Sequence, residues 1–179
     1  MPSRPVRSAV ARRIGIAAPS IYAHFPDREA IVGAVVQDAF RALREHLDDA
    51  QASAPDPVAR LRAICAAYLR FAAESPQRYG VMFGSTWTSA REQGPAGEGV
   101  RIGVGPCDDV VDDGAFDVLV SVLTDCVEDG ASRSTDPFTD ATALWVALHG
   151  LAQLRSAAAS FPWPPGVLDV LVDRLARLP

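Results

Sequence analysis

Apolar residues in this chain recur at intervals of three and four, the spacing of one face of an α-helix, and alternation in twos is nearly absent. The pattern predicts an all-α protein. A short helix is expected over residues 5–14, with Val6, Ala9, Val10 and Ile14 on one face and Gly15 as its stop. A second short helix follows over residues 18–25 and sets Ile21 and Phe25 inward. Pro26-Asp27 breaks it, and Asp27 caps a long amphipathic helix over residues 28–48 with Ile31, Val35, Val36, Phe40, Leu43 and Leu47 on its stripe.

Asp-Pro and Ser-Pro pairs, a capping side chain followed by proline at the first helical position, mark further starts. Asp56-Pro57 opens a helix to about residue 74, with Val58, Leu61, Ile64, Cys65, Tyr68 and Leu69 inward, and Ser75-Pro76 opens a brief one to about 83. Residues 84–114 are glycine-rich and break the periodicity, as a binding loop, a lid or a disordered segment does. Helix resumes over 115–128 (Phe116, Leu119, Val120, Leu123, Cys126, Val127) and stops at Gly130. Asp136-Pro137 opens a long helix to about 160, a proline-rich corner follows at 161–166, and a last helix covers 167–178.

Composition adds a solvent and a compartment. At 179 residues and 49% apolar, the chain is long enough for a real core and carries no apolar run of membrane-spanning length. Nothing at the N-terminus has the form of a secretory signal, so a cytoplasmic location is expected. Cys65, Cys107 and Cys126 lack metal-ligand spacing; the first and third sit in apolar helical patterns and are expected as buried thiols, with no metal and no cofactor. The formal net charge of −5 disfavours nucleic acid, but its distribution reverses that. Five arginines (4, 7, 12, 13 and 28) against Asp27 and Glu29 leave the first 30 residues at +3, joined to an acidic body. That asymmetry fits a protein that meets DNA at one end.

Two short helices around a tight glycine turn, followed by a longer helix, is the arrangement that lays the second helix in the major groove. The run from Val6 to Ile31, with its Gly15-Ile16 turn, Ile21-Tyr22-Ala23-His24-Phe25 and Pro26-Asp27-Arg28-Glu29-Ala30, resembles the DNA-binding signature of the tetracycline-repressor (TetR/AcrR) family. By this resemblance Ala17, Ala18, Pro19 and Ser20 form the end of the recognition helix that approaches base edges. Tyr22, His24, Arg7 and Arg28 are then expected on phosphates. Tyr22 as a packing ring and His24 as a surface residue are the plainer readings. The family pattern places a complete amphipathic helix ahead of Val6, where this sequence has five residues, so a truncated helix-turn-helix is expected.

Leu144-Trp145-Val146-Ala147-Leu148-His149-Gly150 looks like a Trp-x-x-x-His-Gly element of C-terminal domains in such regulators, and residues 68–83 resemble the helix pair before their loop. The resemblance implies a head with its connecting helix at 1–47 and an antiparallel helical bundle at 48–179 that senses a ligand and dimerises. Small residues along 141–159, Gly150 among them, suit close helix packing, and the last two helices are the expected homodimer face. Candidate ligand contacts are Tyr68, Phe71, Tyr79, Met82, Phe83, Phe116 and Trp145, with His149 as a polar handle for an apolar or amphipathic effector. The competing reading of those rings is ordinary core, and of His149 a structural hydrogen-bonder.

No nucleophile elbow, zinc-binding helix or phosphate loop is present, which argues against an enzyme. The function expected is a DNA-binding transcriptional regulator, a repressor released from double-stranded operator DNA by a small molecule. The alternative is a dimeric helical ligand- or partner-binding protein that has lost DNA binding.

Overall fold

A computed structural model describes residues 28–83 and 114–179. The described residues form six helices and no strand. They are α1 (Arg28–Gln51), α2 (Pro57–Glu74), α3 (Pro76–Phe83), α4 (Ala115–Glu128), α5 (Pro137–Ala157) and α6 (Val167–Leu175). The two short helices expected before residue 28 and the glycine-rich stretch of 84–113 lie outside the described residues.

The proline punctuation acts as the sequence predicts. Asp56 adopts an extended backbone and its carboxylate accepts from the Ala59 amide at 2.7 Å, with Pro57 at the first helical position of α2. Asp136 caps α5 through its side chain, accepting from the Thr139 amide at 3.1 Å and the Thr139 hydroxyl at 2.6 Å, with Pro137 following. Those two bonds hold the Asp136 carboxyl below the usual carboxylate range. Replacing Asp136 by alanine orphans the amide, and the expected result is a lowered urea midpoint with an unchanged slope. Gly130, at φ +73°, supplies the left-handed turn after α4.

Helix α2 is the hub, in contact with each of the other five. Its inward stripe of Leu61, Ile64, Cys65, Tyr68 and Leu69 is buried as expected, Phe71 is buried with it, and Val58 is half-buried at the rim. Arg62 reaches from α2 to Asp169 and Asp173 of α6, fixing the last helix on the outer side of the hub. On α1 the core stripe is Val36, Ala39, Phe40, Leu43 and Leu47. Val35, expected inward, is 46% exposed, because neighbouring Val36 occupies the centre of the narrow stripe and Val35 is turned about 100° from it.

Helix α4 departs from expectation in a similar way. Its stripe is Ala115, Val118, Leu119, Val122, Leu123 and Cys126, so Phe116, Val120 and Val127 are half-buried at its edges. The helix sits among α1, α2 and α5, and that crevice selects the edge of the apolar face that goes deepest. Helix α5 ends at Ala157 and α6 at Leu175, each about three residues short of the sequence reading.

The C-terminus is tied back by a polar cluster. The Ser132 hydroxyl donates to the Ala176 carbonyl at 2.7 Å, while the Ser134 hydroxyl and Arg177 Nε donate to Asp140 at 2.6 and 2.7 Å. Burial acts to raise the Asp140 carboxyl, but the bonds from Arg177 and Ser134 outweigh it and hold the group below its usual range. The corner before α6 is closed by the Trp163 indole donating to the Ala158 carbonyl at 3.2 Å, with Phe161 edge-on to the same ring.

Candidate functional site

Where α1 to α5 converge, their apolar faces leave a cavity of about 30 Å³. Phe40, Leu43 and Leu47 of α1 form one wall, and Tyr68 of α2, Phe83 of α3, and Phe116 and Trp145 of α4 and α5 form others. The aromatic rings brace one another. Trp145 lies 6.2 Å from both Phe83 and Phe116, and Phe40 meets Phe83 edge-on at 5.9 Å. A space this small admits a water or two, whereas a benzene-sized guest needs about 150 Å³. Occupancy by an organic ligand therefore requires the rings to part.

Beside the cavity stands a polar group of three. The Tyr68 and Tyr79 hydroxyls are 3.0 Å apart, the Tyr79 hydroxyl is 2.7 Å from His149 Nδ1, and the Tyr68 hydroxyl is 3.5 Å from the same nitrogen. The imidazole stacks on both Tyr79 and Trp145, and Phe83 meets it edge-on at 4.5 Å. Burial pushes the Tyr68 hydroxyl far up, aided by the neighbouring Tyr79, and pushes Tyr79 up to about 12 against the opposing effect of the Tyr68 bond. Burial alone pulls His149 below its ordinary value of 6.5. All three groups are thus neutral near pH 7.

A histidine kept neutral by burial has a consequence for stability. Its contribution is complete above pH 6.5 and declines as pH falls through that value towards the lowered folded one, because the unfolded chain then binds a proton that the folded chain resists. Thermal unfolding of the native protein should lose stability as pH falls below the ordinary histidine value of 6.5, and His149→Gln should flatten that slope. Asp140, held low, adds its own loss only in more acidic solution.

Of the eight residues proposed from sequence as ligand contacts, Tyr68, Phe83, Phe116 and Trp145 line the cavity. Tyr79 and His149 stand behind Tyr68 in the hydrogen-bonded group. Met82 is fully buried outside the lining, and Phe71, buried on α2, packs against the His46 ring at 6.0 Å. Sequence reasoning missed the α1 wall. Phe40, Leu43 and Leu47 were read only as a core stripe, and periodicity cannot tell a core position from a cavity lining. Cys65 also lines the space, its thiol pushed up to about 12 by burial, and Cys126 is pushed up to about 11 for the same reason, so neither is a ready nucleophile. Of the DNA-contact candidates, Arg7, Ala17, Ala18, Pro19, Ser20, Tyr22 and His24 lie outside the described residues, and Arg28 begins α1.

Gly150, expected to admit another backbone, meets nothing among the described residues: a Cβ placed there would have none of them within 4 Å. Around it α5 exposes Val146 at 57% and Leu154 at 55%, and α6 exposes Val170 at 49%. Among the described residues no helix is long and apolar enough to cross a membrane.

Two family models match this chain. One, the tetracyclin repressor-like C-terminal domain, spans residues 61–178 and so takes in α3 to α6, most of α2 and most of the cavity. The other, bacterial regulatory proteins of the tetR family, spans residues 8–35. The chain belongs to the tetracycline-repressor family. It is a DNA-binding transcriptional regulator, and the matched 8–35 segment contains every DNA-contact candidate except Arg7.

Solved structures agree on the TetR fold. A protein of unknown function from Rhodococcus sp. RHA1 superposes with a TM-score of 0.69 at 22% identity, over 95% of this chain and 80% of its own. A tetR-family bacterial regulatory protein from Rhodococcus RHA1 gives 0.63 at 14% identity, over 95% and 83%. The TetR-family transcriptional regulator PfmR from Thermus thermophilus gives 0.62 at 18% identity, over 94% and 84%. Comparison with curated proteins gives no match.

Proposed function

We propose that this regulator is a cytoplasmic repressor, released from operator DNA when a small apolar or amphipathic molecule enters the cavity between α1 and α5. The observation that carries the reading is the double role of α1. Its first turn continues from the matched DNA-binding segment, and its later turns supply Phe40, Leu43 and Leu47 to the cavity wall. A guest that parts the rings must push on that wall, and the displacement is delivered to the head. In this reading residues 1–47 are the head and connecting helix, and residues 48–179 the sensing and dimerising body. Ala17, Ala18, Pro19 and Ser20 approach bases, while Arg7, Tyr22, His24 and Arg28 hold phosphates. Catalysis has no part in this cycle.

The exposed apolar side chains of α5 and α6, with open space at Gly150, support a twofold homodimer through these two helices. Leu154→Arg should shift the sedimentation coefficient towards the monomer and weaken operator binding, since a lone head loses the second half-site.

A hundredfold loss of operator affinity needs only about 2.7 kcal/mol of coupling, within the ordinary range between linked sites. The test is fluorescence anisotropy on the DNA upstream of the protein's own coding sequence, with and without a panel of small aromatic compounds. At least one compound should weaken binding by roughly that factor. Equal affinities with compounds that demonstrably occupy the cavity would remove the switch.

A further inference from the structure

The hydrogen-bonded group beside the cavity has a direction, and the direction selects the effector. A phenolic O–H is a strong donor and its oxygen a weak acceptor, while the lone-pair nitrogen of neutral imidazole is a strong acceptor. The short contact of 2.7 Å is therefore Tyr79 donating to His149 Nδ1, with the imidazole proton on Nε2. Having spent its one proton there, the Tyr79 oxygen can only accept, and the donor 3.0 Å away is the Tyr68 hydroxyl. Tyr68 lines the cavity and Tyr79 and His149 do not. With its proton committed to Tyr79, the Tyr68 oxygen has only lone pairs to offer a guest that reaches it.

The remaining lining chemistry narrows the guest further. Among the described residues, the other polar lining side chains are the Trp145 indole and the Cys65 thiol, and none of the lining side chains is charged. A carboxylate entering it would shed water without a counter-charge. Phe40, Phe83, Phe116 and Trp145 surround the cavity with ring edges and faces that suit an aromatic body.

Resting on the reading of this cavity as the effector site, we propose that its ligand is a neutral aromatic molecule bearing a hydrogen-bond donor, a phenol or an aryl N–H, which it gives to the Tyr68 oxygen. The Tyr79–His149 pair positions that acceptor by holding the Tyr68 proton away from the ligand.

Isothermal titration calorimetry with 4-ethylphenol, 4-ethylanisole and 4-ethylbenzoate tests this on the full chain. The phenol should bind about tenfold more tightly than the ether, which faces an acceptor with another acceptor, and more tightly than the anion. Tyr68→Phe should bring the phenol-to-ether ratio close to one. Tyr79→Phe combined with His149→Phe removes both acceptors within reach of the Tyr68 proton and should also level the ratio, chiefly by improving the ether, an effect that loss of packing would not produce. Circular dichroism and melting temperature establish that each variant is folded, and either variant alone is decisive. An ether that binds native protein as tightly as the phenol, or a preference that survives Tyr68→Phe, overturns the donor inference. If these probes bind the native protein but not a cavity-filled Cys65→Leu variant, and show no donor preference, only this inference falls. If none of the three binds, or all bind the filled variant unchanged, the effector-site reading falls with it.

Discussion

Leu61→Ala should destabilise the body by about 2–5 kcal/mol, enough to abolish a large share of the ~5–15 kcal/mol that holds a domain of this kind together. Leu61 is 0% exposed on α2, the helix that touches every other described helix. Its removal leaves a void where several elements meet, and none of them can settle inward without losing contact with another. Val35→Ala, at a side chain 46% exposed, should change stability by less than about 0.5 kcal/mol. Urea denaturation followed by circular dichroism measures both. Comparable losses at the two sites would mean that the core is not organised about α2.

Cys65→Leu should separate sensing from DNA binding. Cys65 is fully buried, lines the cavity and carries a thiol that burial keeps protonated, so its role is to occupy little volume. A leucine there extends two more carbons into a space of about 30 Å³ and removes the room from which the rings would part. Overpacking costs about 1–3 kcal/mol, which leaves a folded protein. Operator affinity without effector should stay within about threefold of native, while an effector response of ~100-fold should fall towards unity. Anisotropy titrations on operator DNA read both quantities. A filled cavity with an intact response would place the effector elsewhere.

How far the sequence disclosed this molecule follows from what periodicity encodes. The starts of α2, α3 and α5 were legible because Asp56-Pro57, Ser75-Pro76 and Asp136-Pro137 join a capping or turn-forming side chain to a residue that cannot continue a helix inward. The apolar faces were legible as faces. Their deepest edges were not, because the crevice that a helix enters is set by its neighbours: Val35 lost its place to Val36, and Phe116 yielded to Val118 and Val122. The same limit hid the cavity's α1 wall, where Leu43 and Leu47 are indistinguishable by pattern from residues in solid core. Tyr68, Tyr79 and His149 were each singled out as aromatic or polar positions on helix faces. Their mutual hydrogen bonds were beyond reach, since three residues on α2, α3 and α5 meet only through the packing of those helices. The helix-turn-helix was legible for another reason. Its signature depends on local residue identity, and the family match at 8–35 rests on the same run.

In the proposed switch, helix α1 is shared by cavity and head, and that implies reciprocity: whatever factor an effector removes from operator affinity, the operator must remove from effector affinity. Calorimetric titration of an operator-releasing aromatic compound into the free dimer and into the operator-saturated dimer measures this directly. The expected result is weaker binding to the DNA-bound form, by the factor found in the DNA titrations. Identical effector affinity in the two forms would contradict it, for the head and the cavity would then be energetically independent.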